Sequence, residues 1–401
     1  MPMVRKMRNR QKSGFKRFYI LVVYAVYMLY YIADMRTSEN VVVKQTASRS
    51  SVHMYLIALI GTLAIYMVMR MLLKGSFNLL RINTPLIYIT LWGTVVDLFN
   101  GASFWSIAVH LGLLVLWILV IYFANNIIVD DKSYNLLLLF EFCIWVVTVY
   151  FFVEAFTNFA DYRGEYEGVV LNISYNILVL LPFLFQIKNK LIKYVSIIIS
   201  CGLIIVSMKR GAIVALILML AVYYYMLVKS GKIKRLSISK ILLVIGFFVV
   251  AFLIVDEMSN NYLSSRFSIE SLASGSNRDL LYSMAINDIK NRSFVELLIG
   301  KGSGSSLAIV GSGVHNEVLE MLFSYGIIGL GIYLWFVIRG ISILRRLLKD
   351  HNEVSAIYAV TLIYIVFVGV VGTALFAHYT FHIMASIGVS SGYLRRELEK
   401  Q

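Results

Sequence analysis

The chain has 401 residues, of which 59% are hydrophobic and only 15% are charged, and its mean hydropathy is +0.78. Soluble domains carry about 25% charged residues, so this composition excludes an ordinary soluble protein and predicts one that lies in a lipid bilayer. The formal net charge of +15 is then explained by membrane topology and by attraction to anionic lipid, which makes nucleic-acid binding a poor interpretation.

Apolar segments follow one another along the whole chain. About 20 mostly apolar residues cross the hydrocarbon core as a helix, and twelve segments qualify: residues 18–33, 53–73, 85–99, 104–124, 134–156, 169–187, 192–208, 211–228, 241–255, 318–338, 354–371 and 374–394. The predicted fold is therefore an all-α, polytopic integral membrane protein with about 12 transmembrane helices. No small-residue cleavage site follows the first segment, which reads as an uncleaved anchor.

Basic residues indicate the orientation, because cytoplasmic loops retain Lys and Arg more readily than translocated ones. With twelve spans, 26 of the 37 Lys and Arg residues fall on the side that holds both termini. Both termini are predicted to be cytoplasmic. The predicted regions are a basic N-terminus (1–17), spans one to nine (18–255), an extracytoplasmic catalytic loop (256–317), spans ten to twelve (318–394) and a cytoplasmic tail (395–401).

Several common site types are missing from the sequence. There is no Walker A or dinucleotide-binding glycine motif, so neither ATP-driven transport nor a nucleotide cofactor is predicted. Cys143 and Cys201 lie inside predicted spans and form no metal or disulfide pattern. His378 and His382 are spaced as a metal pair could be, but no third ligand accompanies them. Helix packing or cavity lining is the favoured interpretation of these two histidines, and no metal site or cofactor is predicted.

Charged and polar residues concentrate on the predicted outer face. Arg163 lies among carboxylates in the loop before span six, where a plain solvated loop is the alternative, and Asn172 lies just inside that span. Lys209 and Arg210 form a short turn between spans seven and eight. Two cations at an outer boundary need an anionic partner, unless they only extend to lipid headgroups.

The long loop 256–314 carries the remaining candidates. The stretch SGSNRD before LLYSMAINDI predicts a capped amphipathic helix near the interface, with Arg278 in its first turn. The loop ends in a Gly/Ser run and then in His315, where a new apolar helix begins. Glycines permit close backbone approach, and a helix N-terminus offers N–H groups to an anion. These features favour a ligand site at His315 over a purely structural histidine.

The order of these motifs resembles the O-antigen polymerase and ligase family. The matching elements are Lys209-Arg210-Gly211 before an apolar span, Ser-Asn-Arg-Asp-Leu-Leu-Tyr in the long loop, Gly-Lys-Gly-Ser-Gly at 300–304, and His-Asn followed by a leucine-rich helix. Together they cover residues 208–335, and the region of Asn172 fits more weakly. The family has Ser-Arg-Gly where this chain has Lys209, so the neighbour of the arginine differs but the arginine is kept.

The resemblance implies a metal-independent glycosyltransferase of the bacterial inner membrane, with its active site outside the cytoplasm and a polyprenyl-pyrophosphate-linked glycan as donor. It assigns Arg210 and Arg278 to the pyrophosphate and His315 to the acceptor. Arginine suits phosphate because its planar fork binds two oxygens and stays charged. A histidine between cations stays neutral and can accept a proton. Other polar residues beside these three are predicted to contact substrate: Arg163, Asn172, Lys209, Asn277, Asn316, Glu317 and Glu320.

The predicted reaction joins an undecaprenyl-pyrophosphate-linked glycan to a lipid-linked repeat unit and releases undecaprenyl pyrophosphate. A ligase that transfers the finished glycan to lipid A core or protein shares this donor chemistry and stays open from sequence. A flippase or another transporter for the same lipid-linked sugar is a third alternative, although the duplicated halves typical of transporters are not apparent. The predicted partners are lipid-linked donor and acceptor, membrane lipids, a chain-length regulator and a flippase.

Overall fold

The structure is a computed structural model, and it describes residues 18, 21–35, 59, 62, 66, 83–102, 107, 120–121, 131–160, 171–231, 238–268, 278–311, 313–349, 353–372, 374 and 380–398. These residues form helices, turns and bends, with no strand in the described ranges. The helices in chain order are α1 (Leu21–Met35), α2 (Asn83–Phe99), α3 (Asp131–Ala160), α4 (Ser174–Leu184), α5 (Lys190–Val206), α6 (Arg210–Lys229) and α7 (Ile238–Met258). They continue with α8 (Tyr262–Arg266), α9 (Arg278–Lys290), α10 (Phe294–Ile299), α11 (Ser305–Val310), α12 (Glu317–Lys349), α13 (Glu353–Val371) and α14 (Thr380–Leu398).

Helices α3, α6, α12 and α13 are each long and apolar enough to cross a membrane, and α1, α2 and α4 are shorter apolar helices. Large apolar side chains remain exposed along the outer helices, for example Tyr150 and Val153 on α3 and Leu191 and Ile198 on α5. An apolar surface of this kind is suited to contact with lipid. The chain is therefore an all-helical protein suited to a membrane. The predicted spans 53–73 and 104–124 lie largely outside the described residues, and the total of twelve stays a prediction.

Helices α4 and α13 form the centre of the described bundle. Every residue of α4 is buried, including Pro182 near its end, and a helix that is apolar all round takes such a position. Helix α13 packs against α4, α6, α12 and α14. The ends of α4, α6 and α13 are thereby brought together, and the candidate site lies there.

A polar network crosses the inside of the bundle between α1, α3 and α14. His382 Nδ1 lies 2.6 Å from Glu141 Oε2, Tyr24 donates a hydrogen bond to Glu141 Oε1 at 2.7 Å, and the Tyr27 hydroxyl lies 3.1 Å from His382 Nε2. Both side chains, Glu141 and His382, are almost fully buried. Buried polar groups need such partners, so His382 links helices here, in accord with the packing role favoured by its sequence context.

Helix α12 is interrupted at Gly326, whose φ of 66° and ψ of −167° are not helical. A Cβ on Gly326 would collide with the backbone of Leu298, and one on Gly300 would collide with the backbone of Ser324. Gly300 and Gly326 therefore allow the end of α10 to pack closely against the kink of α12. The loop that follows Gly300 is anchored to α12 by this contact.

Candidate functional site

The turn between α5 and α6 presents Lys209 and Arg210. Met208 has a φ of 54°, a left-handed conformation that is uncommon for a residue with a long side chain. Lys209 is extended, and its N–H donates to Ser207 Oγ at 3.3 Å before α6 begins at Arg210. The N–H of Leu171 donates to the Ser207 carbonyl at 3.1 Å, which brings the chain preceding α4 to the same turn. These hydrogen bonds at Ser207 fix the turn that carries Lys209 and Arg210.

Four cations from three segments meet at this turn, and we name Lys209, Arg210, Arg266 and Arg278 the cation cluster. Arg210 Nη1 donates to the Arg266 carbonyl at 2.6 Å, and Arg278 Nη1 donates to the Val371 carbonyl at the end of α13 at 2.5 Å. Arg266 Nη1 donates to the Tyr262 hydroxyl at 2.8 Å. All four side chains are half-buried. These hydrogen bonds to neutral oxygens hold the three arginines in place.

The charges of the cation cluster act on one another. Burial is the largest cause that lowers the pKa of Lys209, and the positive charges of Arg278, Arg266 and Arg210 add to it in that order. Together they bring the pKa to about 8. Within the described ranges, no carboxylate lies at ion-pair distance from Lys209, Arg266 or Arg278. Like charges gathered in a partly desolvated place repel one another unless an anion joins them. The arrangement is therefore suited to an anionic ligand.

His315 lies beside the cation cluster, in the loop between α11 and α12. Its φ of 54° is left-handed, and the next residue caps the helix, because Asn316 Oδ1 accepts from the Leu319 N–H at 3.0 Å. The side chain remains exposed, and neither ring nitrogen has a hydrogen-bond partner among the residues described. Desolvation by its neighbours lowers the pKa of His315, and the charges of Arg278 and Lys209 lower it further, against a smaller effect of Glu320. The neutral imidazole is favoured.

The acidic residues after His315 hold the loop in place. Glu317 is completely buried and its Oε2 accepts from the Ala374 N–H at 2.6 Å. Glu320 accepts from the Val314 N–H at 3.1 Å and from the Ser306 hydroxyl at 2.6 Å. Asn316 Oδ1 caps α12. All three residues were predicted as possible substrate contacts, and that role stays a prediction beside the protein hydrogen bonds they make here.

The Gly/Ser loop at 300–304 is tied to α2. Asp97, which is fully buried, accepts from the Ser303 N–H at 2.7 Å and from the Ser303 hydroxyl at 2.8 Å. A Cβ on Gly302 would approach Asp97 Oδ1 to 3.1 Å. The sequence suggested that these glycines admit a ligand. Here Gly302 faces Asp97, whereas a Cβ on Gly304 would meet no atom within 4 Å, so ligand access at this loop stays a prediction. The loop positions the segment that leads through α11 to His315.

The structure brings Lys209, Arg210, Arg278 and His315 together from a stretch of more than 100 residues of the sequence. Asn172 is exposed and follows Leu171, which binds the α5–α6 turn. The predicted substrate contacts Arg163 and Asn277 lie outside the described residues.

Sequence reasoning missed two residues of the site, Arg266 and Tyr175. Arg266 ends the five-residue helix α8, and its only signal was a cation in the same outer loop as Arg278. Tyr175 lies in the first turn of α4 and is one of 26 tyrosines in the chain. No pattern in the sequence distinguishes it.

Comparison of the sequence with models of known protein families and with curated protein sequences finds no match. The resemblance to the O-antigen polymerase and ligase family therefore depends on the motifs alone. Among the residues the structure describes, no group of three or more His, Cys, Asp or Glu side chains is arranged to hold a metal ion.

Proposed function

We propose that this protein is a membrane glycosyltransferase that polymerises a polysaccharide from polyprenyl-pyrophosphate-linked repeat units. The observation that carries this proposal is the cation cluster beside a neutral, accessible histidine. Phosphate-binding cations and a base are the two groups needed to transfer a sugar from a pyrophosphate leaving group to a hydroxyl. The order of motifs along the chain supports the same class.

The cation cluster acts on the donor. Arg210 and Arg278 bind the pyrophosphate, and their planar forks each engage two oxygens. When the bond between the anomeric carbon and the pyrophosphate oxygen breaks, its electron pair leaves with the pyrophosphate, whose negative charge grows. Donors already in position stabilise that charge most in the transition state. The carbonyls of Arg266 and Val371 hold the two guanidinium groups before the donor arrives.

His315 acts on the acceptor. A hydroxyl of the lipid-linked acceptor sugar gives its proton to His315 while its oxygen attacks the anomeric carbon of the donor. The products are a new glycosidic bond, polyprenyl pyrophosphate and a protonated His315, which returns its proton to water. The lowered pKa of His315 keeps the base form available near pH 7.

The proposed membrane arrangement has twelve spans in a bacterial cytoplasmic membrane, with both termini in the cytoplasm and the cation cluster on the other side. Val295, on α10 in the long loop, has 60% of its side chain exposed and is a suitable reporter. In a chain without Cys143 and Cys201, a Val295→Cys variant should react with a membrane-impermeant thiol reagent in intact spheroplasts or protoplasts. Labelling only after lysis would contradict this orientation.

Polymerase activity is tested with purified protein and a synthetic polyprenyl-pyrophosphate oligosaccharide, followed by product sizing. A ladder of longer glycans that remain attached to the polyprenyl lipid supports the proposal. In a deletion strain, loss of only the final attachment of the glycan to lipid A core or protein would assign the chain to the ligases instead.

A further inference from the structure

Tyr175 lies in the first turn of α4, with its side chain at the cation cluster. The Nζ of Lys209 lies 5.9 Å from the centre of its ring, and the Arg278 charge is near enough for an electrostatic interaction with the phenol. The hydroxyl lies against Gly211, where an added Cβ would be only 2.5 Å from the phenol oxygen. The phenol thus reaches the start of α6 beside Arg210, and the glycine of the Lys-Arg-Gly motif leaves room for it.

The hydroxyl of Tyr175 makes no hydrogen bond to any residue of the described ranges, although the side chain is only 8% exposed. Nearly all buried hydroxyls have a partner, because a buried donor without one loses the hydrogen bonds it made to water. The exceptions call for an explanation. Arg266 shows the same feature, since its Nε is also buried without a partner. Two unused donors therefore lie in the half-buried cluster of positive charge.

We propose that the Tyr175 hydroxyl and Arg266 Nε are further ligands of the pyrophosphate group, so that the anion site contains a neutral donor and a third arginine beside Arg210 and Arg278. This inference rests on the proposed function for the identity of the anion. The phenol donates its O–H to a phosphate oxygen and keeps its proton throughout. Tyr175 and Arg266 are thus binding residues, and no proton transfer is assigned to either.

The geometry explains why a tyrosine suits this position. The rigid ring holds the hydroxyl at a fixed point with only two rotatable bonds, and its face receives the Lys209 ammonium. A hydroxyl can donate to an anion without adding another positive charge to a cluster that already holds four.

The test uses the full-length protein in detergent, with inorganic pyrophosphate as the probe in calorimetric titrations at pH 7. Tyr175→Phe removes only the hydroxyl and keeps the ring under Lys209. We expect the Kd for pyrophosphate to rise about 10-fold, the usual effect of losing one hydrogen bond to a charged group. Tyr358→Phe is the matched control. Tyr358 is a buried tyrosine of α13 that lies near Gly340, and Gly340 is in the half of α12 that is far from the cation cluster. Its Kd should equal that of the wild type.

Thermal unfolding without ligand separates a binding role from a structural one. Because the hydroxyl has no partner to lose, the Tm of Tyr175→Phe should equal or exceed that of the wild type. A lower Tm, a Kd within twofold of the wild type, or a wild-type protein that does not bind pyrophosphate would each overturn the proposal. Arg266→Gln should likewise weaken binding, by a larger factor because a charge is lost as well.

Two further arms identify the source of the anion. Micelles containing farnesyl pyrophosphate should compete with inorganic pyrophosphate, whereas micelles containing phosphatidylglycerol should not. Competition by phosphatidylglycerol alone would show that the donors bind a lipid headgroup and would overturn the pyrophosphate assignment. Absence of glycosyl transfer with retained, Tyr175-dependent pyrophosphate binding would refute the proposed function and leave the Tyr175 assignment intact. Glycosyl transfer at the wild-type rate in Tyr175→Phe would refute the Tyr175 assignment and leave the proposed function intact.

Discussion

Replacing Gly211 with alanine tests the packing between α4 and α6 that shapes the cation cluster. The new Cβ would lie 2.5 Å from the Tyr175 hydroxyl oxygen, far inside van der Waals contact, while its next neighbours, Val371 Cγ2 and Tyr175 Cζ, lie at 3.4 and 3.7 Å. Overpacking of this kind costs about 1–3 kcal/mol. Alanine in a helix gains up to about 1 kcal/mol over glycine. The net loss for Gly211→Ala is therefore roughly 0–2 kcal/mol.

The same substitution should have the opposite sign once the hydroxyl is removed. In a Tyr175→Phe background the closest remaining contacts are the ordinary ones at 3.4 and 3.7 Å, so only the helix-propensity gain of up to about 1 kcal/mol remains. The coupling free energy between the two positions is then about 1–3 kcal/mol, all of it from the lost clash. Reversible unfolding by SDS in mixed micelles of the four variants measures it. An equal effect of Gly211→Ala in both backgrounds would refute the packing described for Tyr175.

Three further predictions concern the chemistry of the site. Arg278→Lys keeps the charge but loses the fork, so we expect the rate of glycosyl transfer to fall about 10- to 1000-fold; an unchanged rate would reduce Arg278 to an interfacial anchor. His315→Ala should lower the rate of glycosyl transfer about 10² to 10⁴ fold with pyrophosphate binding retained. His315→Gln should be no more active, since glutamine is not a base. Polymer formation by the Gln variant at the wild-type level would make His315 a binding residue. Because the pKa of Lys209 is lowered to about 8, its positive charge is present below that pH and is lost above it, so the Kd for pyrophosphate should rise as the pH passes 8. Lys209→Arg should remove this alkaline rise, and a rise of the same size in both proteins would show that another group titrates.

Helix positions could largely be predicted from the sequence, because apolar runs and their polar breaks determine them. Helices α6 and α13 match the predicted spans 211–228 and 354–371 within a residue or two. The predicted helix after Ser-Asn-Arg-Asp is also confirmed, as α9. The predicted span 318–338 lies within α12, and the helix continues beyond it through a basic segment to Lys349. Hydropathy indicates the length of the apolar segment within a helix and not the length of the whole helix.

The site was only partly predictable, because the sequence reveals unusual residues and not their neighbours. Arg210, Arg278 and His315 were identifiable as polar groups at the ends of apolar runs. The roles of Glu317 and Glu320 could not be predicted. In sequence, a carboxylate that accepts hydrogen bonds from its own protein looks the same as one that binds a sugar. Tyr175 could not be identified from the sequence for a different reason. Its significance comes from a missing partner, which only the packing of α4 against Gly211 reveals.

The most direct test of the central claim compares wild-type protein with His315→Ala in liposomes that contain a synthetic polyprenyl-pyrophosphate oligosaccharide. Mass spectrometry of the lipid extract would count glycosidic bonds formed and polyprenyl pyrophosphate released. For the wild type we predict one polyprenyl pyrophosphate for each new bond, and for His315→Ala a rate lower by about 10² or more. Movement of the lipid-linked sugar across the bilayer with no new glycosidic bond would contradict the assignment and make the protein a transporter.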